Sequence, residues 1–118
     1  MSVRRGDIVL LQAPFTSRTG AKTRPMLVVQ NDPNNARMAN TILAFITSNT
    51  SRSSEPTQVL IDVDTDDGRL CGLKQTSVVS CENILTVVQA DITKTIGSLP
   101  ASLMAQVDAA LKVSLALP

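Results

Sequence analysis

No histidine occurs anywhere in this 118-residue chain, and it has neither tryptophan nor tyrosine. The first absence excludes a His–Cys or Ser–His nucleophile pair and a histidine general base. The second leaves Phe15 and Phe45 as the only aromatics, too few for the stacking platform that plain single-strand-binding modules use. Cysteine is scarce as well. Cys71 and Cys81 lack the spacing of a zinc site, and a metal would still need two further ligands, so no metal or other cofactor is expected. Their small number fits a reduced, cytoplasmic setting. No apolar run approaches the roughly 20 residues of a membrane helix, and Met1 to Gly6 leads into a strand-like segment with no signal-peptide core, so no membrane association is expected.

Charge of one sign is missing overall, since the net charge is only +1, but it is unevenly spread. Residues 1–54 carry seven Lys or Arg against two Asp, a balance of +5, and residues 55–118 carry four against eight acidic residues, a balance of −4. A basic first half attracts a polyanion locally if folding keeps it together, and loses that property if folding interleaves the halves.

The stretch that organises the chain is Thr23-Arg24-Pro25-Met26-Leu27-Val28-Val29-Gln30-Asn31-Asp32. Proline pushes the residue before it into extended geometry, which holds Arg24 at a strand mouth. Met26 to Val29 reads as a strand buried on both faces, and Asn31-Asp32-Pro33 stops it with turn chemistry. An arginine so placed either contacts phosphate or simply caps a strand at the surface. Further strands are read at Gly6 to Gln12, Thr41 to Thr47, Gln58 to Val63 and across Ser77 to Cys81 and Ile84 to Val88. Asn31 to Asn40 reads as a loop with one helical turn near Asn35 to Met38, Asp64 to Gly68 as a turn, and Asp91 to Ile96 as one helical turn. The acidic turn lacks the closing glutamate of a calcium loop. Pro100 to Leu117 has the only clear helical period, with Leu103, Val107, Ala110 and Leu111 on one face and Pro100 acceptable at the first helical position. The chain is therefore expected to form one domain over residues 1–118, mainly β (α+β): a small barrel with a packed C-terminal helix.

Taken in order, the motifs resemble the MazF/PemK toxin family, the mRNA interferases of type II toxin–antitoxin systems. The matching pieces are Arg5-Gly6-Asp7-Ile8-Val9, then Gly20 to Pro25 leading into Leu27 to Asp32, then Ile46-Thr47-Ser48. Gly72-Leu73 with Ser77-Val78, Cys81-Glu82-Asn83-Ile84, Ile96-Gly97 and the Leu103 to Leu117 helix complete a resemblance over residues 4–117. It implies an SH3-like β-barrel with a C-terminal helix, a homodimer, and sequence-specific, metal-independent cleavage of single-stranded mRNA. In that chemistry the 2′-hydroxyl attacks the adjacent phosphate, giving 2′,3′-cyclic phosphate and 5′-hydroxyl ends. It also implies a cognate antitoxin protein as partner.

Carried onto this chain, the resemblance implies Arg24 and Thr47 as catalytic residues and Glu82 as a proton acceptor. Ser48, Asn49, Arg52, Ser77 and Asn83 fall in segments that line the family's RNA groove, and Phe15 and Lys22 in its first loop. Each has a plainer reading: Thr47 as a strand end, Glu82 as a solvated carboxylate, Phe15 as a plug in the barrel's end. The chain departs from the family pattern at Asn83, where a glutamine is usual, and at Leu85, where a basic residue is often found. The alternative from another class is a CcdB-like toxin of the same fold that binds DNA gyrase and cleaves nothing. Such relatives do not need the Arg24 and Thr47 pair.

Overall fold

A computed structural model of the protein describes residues 2–12 and 23–118. Its strands are β1 (Asp7–Gln12), β2 (Thr23–Val28), β3 (Asn40–Thr47), β4 (Gln58–Ile61), β5 (Ser77–Val88) and β6 (Ile92–Ser98). Helices α1 (Asp32–Arg37), α2 (Asp66–Arg69) and α3 (Ala101–Ser114) interrupt and end the series. The strands form one antiparallel sheet in the order β4-β5-β3-β2-β1-β6.

The near-continuous apolar runs arise because the central strands are buried on both faces. Ile8, Leu27, Ala44 and Ile46 point to one face, where Leu103, Val107 and Ala110 of α3 cover them. Val9, Leu11, Met26, Val28 and Leu43 point to the other, where Leu85, Val87 and Ile92 pack over them. Leu85 thus serves as apolar cover for this second cluster.

The expected barrel does not close by hydrogen bonding. Strands β4 and β6 are the two edges of the sheet, and no ladder joins them among the described residues. What approaches β6 is the segment that follows α2. Cys71 and Gly72, just after α2, lie so close to Ile96 and Gly97 of β6 that a Cβ on either glycine would collide with the opposing main chain. Gly72 also has a φ of +76°, which L side chains rarely adopt.

Four local readings change. Asp91 to Ile96 is not a helical turn: a 3₁₀ turn at Gln89–Asp91 leads into β6, whose Ile92, Thr93, Thr95 and Ile96 have the β-branched content of a strand. The Asn-rich loop holds the full helix α1, because the Asn31 side chain accepts the Asn34 N–H at 2.8 Å and Pro33 suits the first turn. Thr65 caps α2 in the same way, accepting from Gly68, where a simple turn is expected. Pro100 is the N-cap of α3 and not its first helical residue.

Gln30 and Asn35 explain why polar residues end the apolar run of β2 without leaving it. Both are buried, and they bond each other through Gln30 Nε2 to Asn35 Oδ1 (3.0 Å) and Asn35 Nδ2 to the Gln30 carbonyl (3.0 Å). Thr41 completes the set with a 2.7 Å bond to Asn35 Oδ1. A fully paired buried polar cluster fixes one docking geometry, here that of α1 against β3.

Candidate functional site

The site begins with a missing donor. Val29 N–H donates to the Ile42 carbonyl, and N–H directions alternate along a strand, so position 25 also faces β3. Pro25 has no N–H to give. The ladder between β2 and β3 accordingly ends at the Met26–Phe45 pair. Continued two residues past that pair, the same register sets Arg24 of β2 against Thr47 of β3, and both line one cleft.

This parted mouth opens into a cleft of about 620 Å³. Arg24, Thr47, Ser48, Lys74 and Lys94 provide its polar lining, and Leu10, Met26, Phe45, Ile46 and Ile96 its apolar floor. Arg24, Thr47, Lys74 and Lys94 are solvent-exposed. No described carboxylate lies within ion-pair distance of Arg24, Lys74 or Lys94. Thr47 Oγ1 accepts the Asn49 N–H at 3.1 Å, which leaves its own hydroxyl hydrogen available to an incoming acceptor. Ser77 also lines the cleft, but it is buried and donates to the Gln75 carbonyl at 2.9 Å, so it serves as wall. Chemically, the cleft offers one planar guanidinium fork, two point cations and the hydroxyls of Thr23, Thr47 and Ser48 around an open space. That set suits phosphate oxygens.

The other expected contacts separate from this group. Glu82 is not among the residues lining the cleft. Its carboxylate accepts Arg52 Nη2 at 2.6 and 2.7 Å, Thr57 Oγ1 at 2.8 Å and Gln58 Nε2 at 3.1 Å. The Arg52 bond, then those of Thr57 and Gln58, hold its pKa down to about 2. A carboxylate so held is a poor proton acceptor near neutral pH. Arg52 is engaged within the protein in the same way, since its Nε also reaches Glu55 at 2.7 Å. Asn49 accepts from the Ser51 N–H, and Asn83 donates to Ser80 Oγ at 2.8 Å; neither lines the cleft. Phe15 and Lys22 lie outside the described residues.

Lys74 and Lys94 are the residues that sequence reasoning missed. Both come from the acidic second half of the chain, so of the cleft's three described cations only Arg24 belongs to the basic first half. The two halves interleave elsewhere too: Arg5 pairs with Asp108 of α3 at 2.7 Å, and Arg52 with Glu82. The only local signal for Lys94 is the β-branched content around it, and it is the pairing of β6 with β1 that brings Lys94 opposite Leu10.

Fold and site together define a small antiparallel-β protein with a cationic cleft at a parted strand mouth. A family model described as the PemK-like, MazF-like toxin of type II toxin–antitoxin systems matches residues 4–115, and the chain belongs to that family. It is 43% identical over 114 residues to endoribonuclease MazF2 of Mycobacterium bovis, covering 95% of this chain and 96% of that protein. It is 35% identical over 118 residues to endoribonuclease EndoA of Bacillus subtilis, covering 99% and 97%. Among solved structures, Mycobacterium tuberculosis toxin MazF-mt6 superposes with a TM-score of 0.76 at 28% identity, covering 95% of this chain and 98% of that one. These relatives give no support to the gyrase-inhibitor alternative.

Proposed function

We propose that this chain is the endoribonuclease toxin of a type II toxin–antitoxin pair and cleaves single-stranded RNA in the Arg24–Thr47 cleft. The observation that carries the reading is the pairing itself. Pro25 ends the β2–β3 ladder, and Arg24 and Thr47, just beyond it on the two strands, line one cleft with Lys74 and Lys94. The endoribonuclease names of relatives at 43% and 35% identity support it.

In the proposed reaction the 2′-hydroxyl oxygen forms a bond to the neighbouring phosphorus as the bond to the 5′-oxygen breaks. The 2′-hydroxyl proton passes to solvent, and the leaving 5′-oxygen takes one from solvent. The products are a 2′,3′-cyclic phosphate and a 5′-hydroxyl. The reaction needs no protein nucleophile, which suits a chain without histidine. Arg24 holds the non-bridging oxygens through two donors as charge develops there, and Thr47 adds its hydroxyl. Arg24 acts here as a fixed pair of donors and not as a proton carrier. Lys74 and Lys94 hold flanking phosphates and set the register of the strand. Glu82 has no place in this chemistry.

The active form in this reading is a homodimer. Ile84 and Val88 on β5 and Val113, Leu115 and Leu117 at the end of α3 are large apolar groups left exposed in the single chain, as expected of a surface that a second copy covers. In this reading the fold is an open form of an SH3-like barrel, in a cytoplasmic protein whose antitoxin presents an acidic segment to the cationic cleft. None of the helices among the described residues is long and apolar enough to cross a membrane.

The test is incubation of the purified protein with a long mixed-sequence RNA in excess EDTA, followed by analysis of the ends. Cleavage at a short recurrent sequence, leaving cyclic phosphate and 5′-hydroxyl, is the expected result. Activity lost to the chelator and restored by Mg²⁺ overturns the mechanism.

A further inference from the structure

We infer that Glu82 and Arg52 form a clasp that positions the segment between β3 and β4, and through it Thr47 and Ser48 at the cleft. The activity arm of this inference rests on the function proposed above; the structural arm does not.

The clasp originates in an irregularity of β5. Phe45 pairs with Ser80 and the preceding Ala44 with Ile84, so Cys81, Glu82 and Asn83 have no partner on β3. A bulge of this kind re-aims side chains, and here it aims Glu82 at the start of β4. Cys81 N–H donates to the Thr57 carbonyl at 2.9 Å, which anchors the bulge to the same place. The Glu82 carboxylate then receives the Arg52, Thr57 and Gln58 bonds described above. Arg52 spans the gap, bonding Glu55 through Nε and Nη2 and Glu82 through Nη2.

Between β3 and Gln58 the backbone is otherwise held by single turns: Ser53 to Thr50, Glu55 to Arg52 and Gln58 to Glu55, each 3.0 Å. Turns of that kind do not fix where a segment sits relative to the sheet. One exposed ion pair would contribute little either. A guanidinium shared between two carboxylates, one of which takes two more donors, is a charge-assisted network that ties three points of the segment to β5. The segment starts at Ser48, which lines the cleft, and its first residues include the Asn49 N–H that fixes the Thr47 hydroxyl. Displacing it disturbs the threonine without touching the reacting phosphate.

The experiment compares the full-length wild type with Glu82→Ala, Glu82→Gln, Arg52→Ala and the Glu82→Ala/Arg52→Ala double variant. Two readouts are used: amide exchange at Ser53, Glu55 and Gln58, and single-turnover RNA cleavage. A clasp predicts faster exchange at those amides in both alanine variants, with the double no faster than the quicker single. Cleavage falls about five- to tenfold in each and no further in the double, because members of one network do not add. Glu82→Gln keeps an acceptor oxygen and falls between wild type and Glu82→Ala in both readouts. Unchanged amide exchange in the alanine variants overturns the clasp, whatever happens to cleavage. Glu82→Gln as inactive as Glu82→Ala, with exchange like wild type, returns Glu82 to proton transfer. If wild type cuts no RNA, the proposed function fails, and the exchange data still decide the clasp.

Discussion

Arg24 and Arg52 look alike in the sequence and opposite in the structure. Each belongs to the basic first half, each is an RNA-facing candidate by the family resemblance, and each is exposed. Arg24 opens into a cleft with no described carboxylate in ion-pair range, whereas Arg52 is held between Glu55 and Glu82. The pairing raises the Arg52 pKa and lowers that of both carboxylates, and the Glu55 bond is the largest cause for Arg52. A polyanion meets the field left over after internal pairing, not the formal charge of the chain. Arg24, Lys74 and Lys94 contribute to that field where RNA would bind, and Arg52 is spent on holding the protein to itself.

The largest expected effect comes from making Arg24 more like a generic cation. Arg24→Lys keeps the charge and removes the planar fork. Losing one transition-state donor costs about 3 kcal/mol, roughly a hundredfold in rate. Single-turnover cleavage should fall by that factor, while binding of an RNA lacking the attacking 2′-hydroxyl falls far less. Circular dichroism confirms the fold. A variant that cuts at close to the wild-type rate makes Arg24 a strand cap, and the contrast with Arg52 disappears.

Much of this contrast was invisible in the sequence, for reasons that differ by element. The strand carrying Arg24 was legible because Pro25 and the run from Met26 to Val29 are local signals, and α3 because Leu103, Val107 and Ala110 repeat at helical spacing. Strand β6 was not. Short β-branched segments next to an acidic residue read as readily as a capped turn, and only pairing with β1 decides. Lys94 was lost with it. Glu82 and Arg52 stood 30 residues apart, and nothing local shows that a bulge in β5 will bring them together. The family resemblance groups Arg24, Thr47 and Glu82, whereas in the structure the first two line one cleft and Glu82 bonds Arg52, Thr57 and Gln58 outside it; a motif records position along the chain and not which donors fold against a carboxylate.

A smaller effect concerns acid. Glu82 has a folded pKa of about 2, below the roughly 4.3 of an unfolded glutamate. A depressed carboxylate contributes stability that is fully present above the unfolded value and lost as pH falls through the folded one. The groups facing it are Arg52, Glu55, Thr57 and Gln58, and Glu55 is shifted the same way by Arg52. Melting temperature of the wild type should therefore drop as pH falls from about 4.3 towards 2 more steeply than that of Glu82→Gln, which cannot titrate there. Parallel acid profiles for the two proteins would mean that the Glu82 network does not stabilise the fold.

The smallest effect sharpens the comparison most directly, because it uses affinity alone. Lys94 lines the cleft from β6 and Lys74 from the segment before β5, and neither has an ion pair among the described residues. A lysine on a phosphate adds attraction that is independent of base sequence, and releases a counterion when it binds. Lys94→Ala should weaken binding of a non-cleavable RNA modestly and by a similar factor for different sequences. It should also reduce the slope of log affinity against log salt by about 0.7, the value for one contact to a single strand. Lys74→Ala should behave alike. Arg52→Ala is the control that gives this measurement its meaning: an arginine already bonded to two carboxylates releases no counterion when RNA arrives, so its removal should leave the slope where it was. Measured across a salt series, a slope reduced by Arg52→Ala but not by Lys94→Ala would reverse the assignment and move the RNA path from the Arg24 cleft to the β4 side of the sheet.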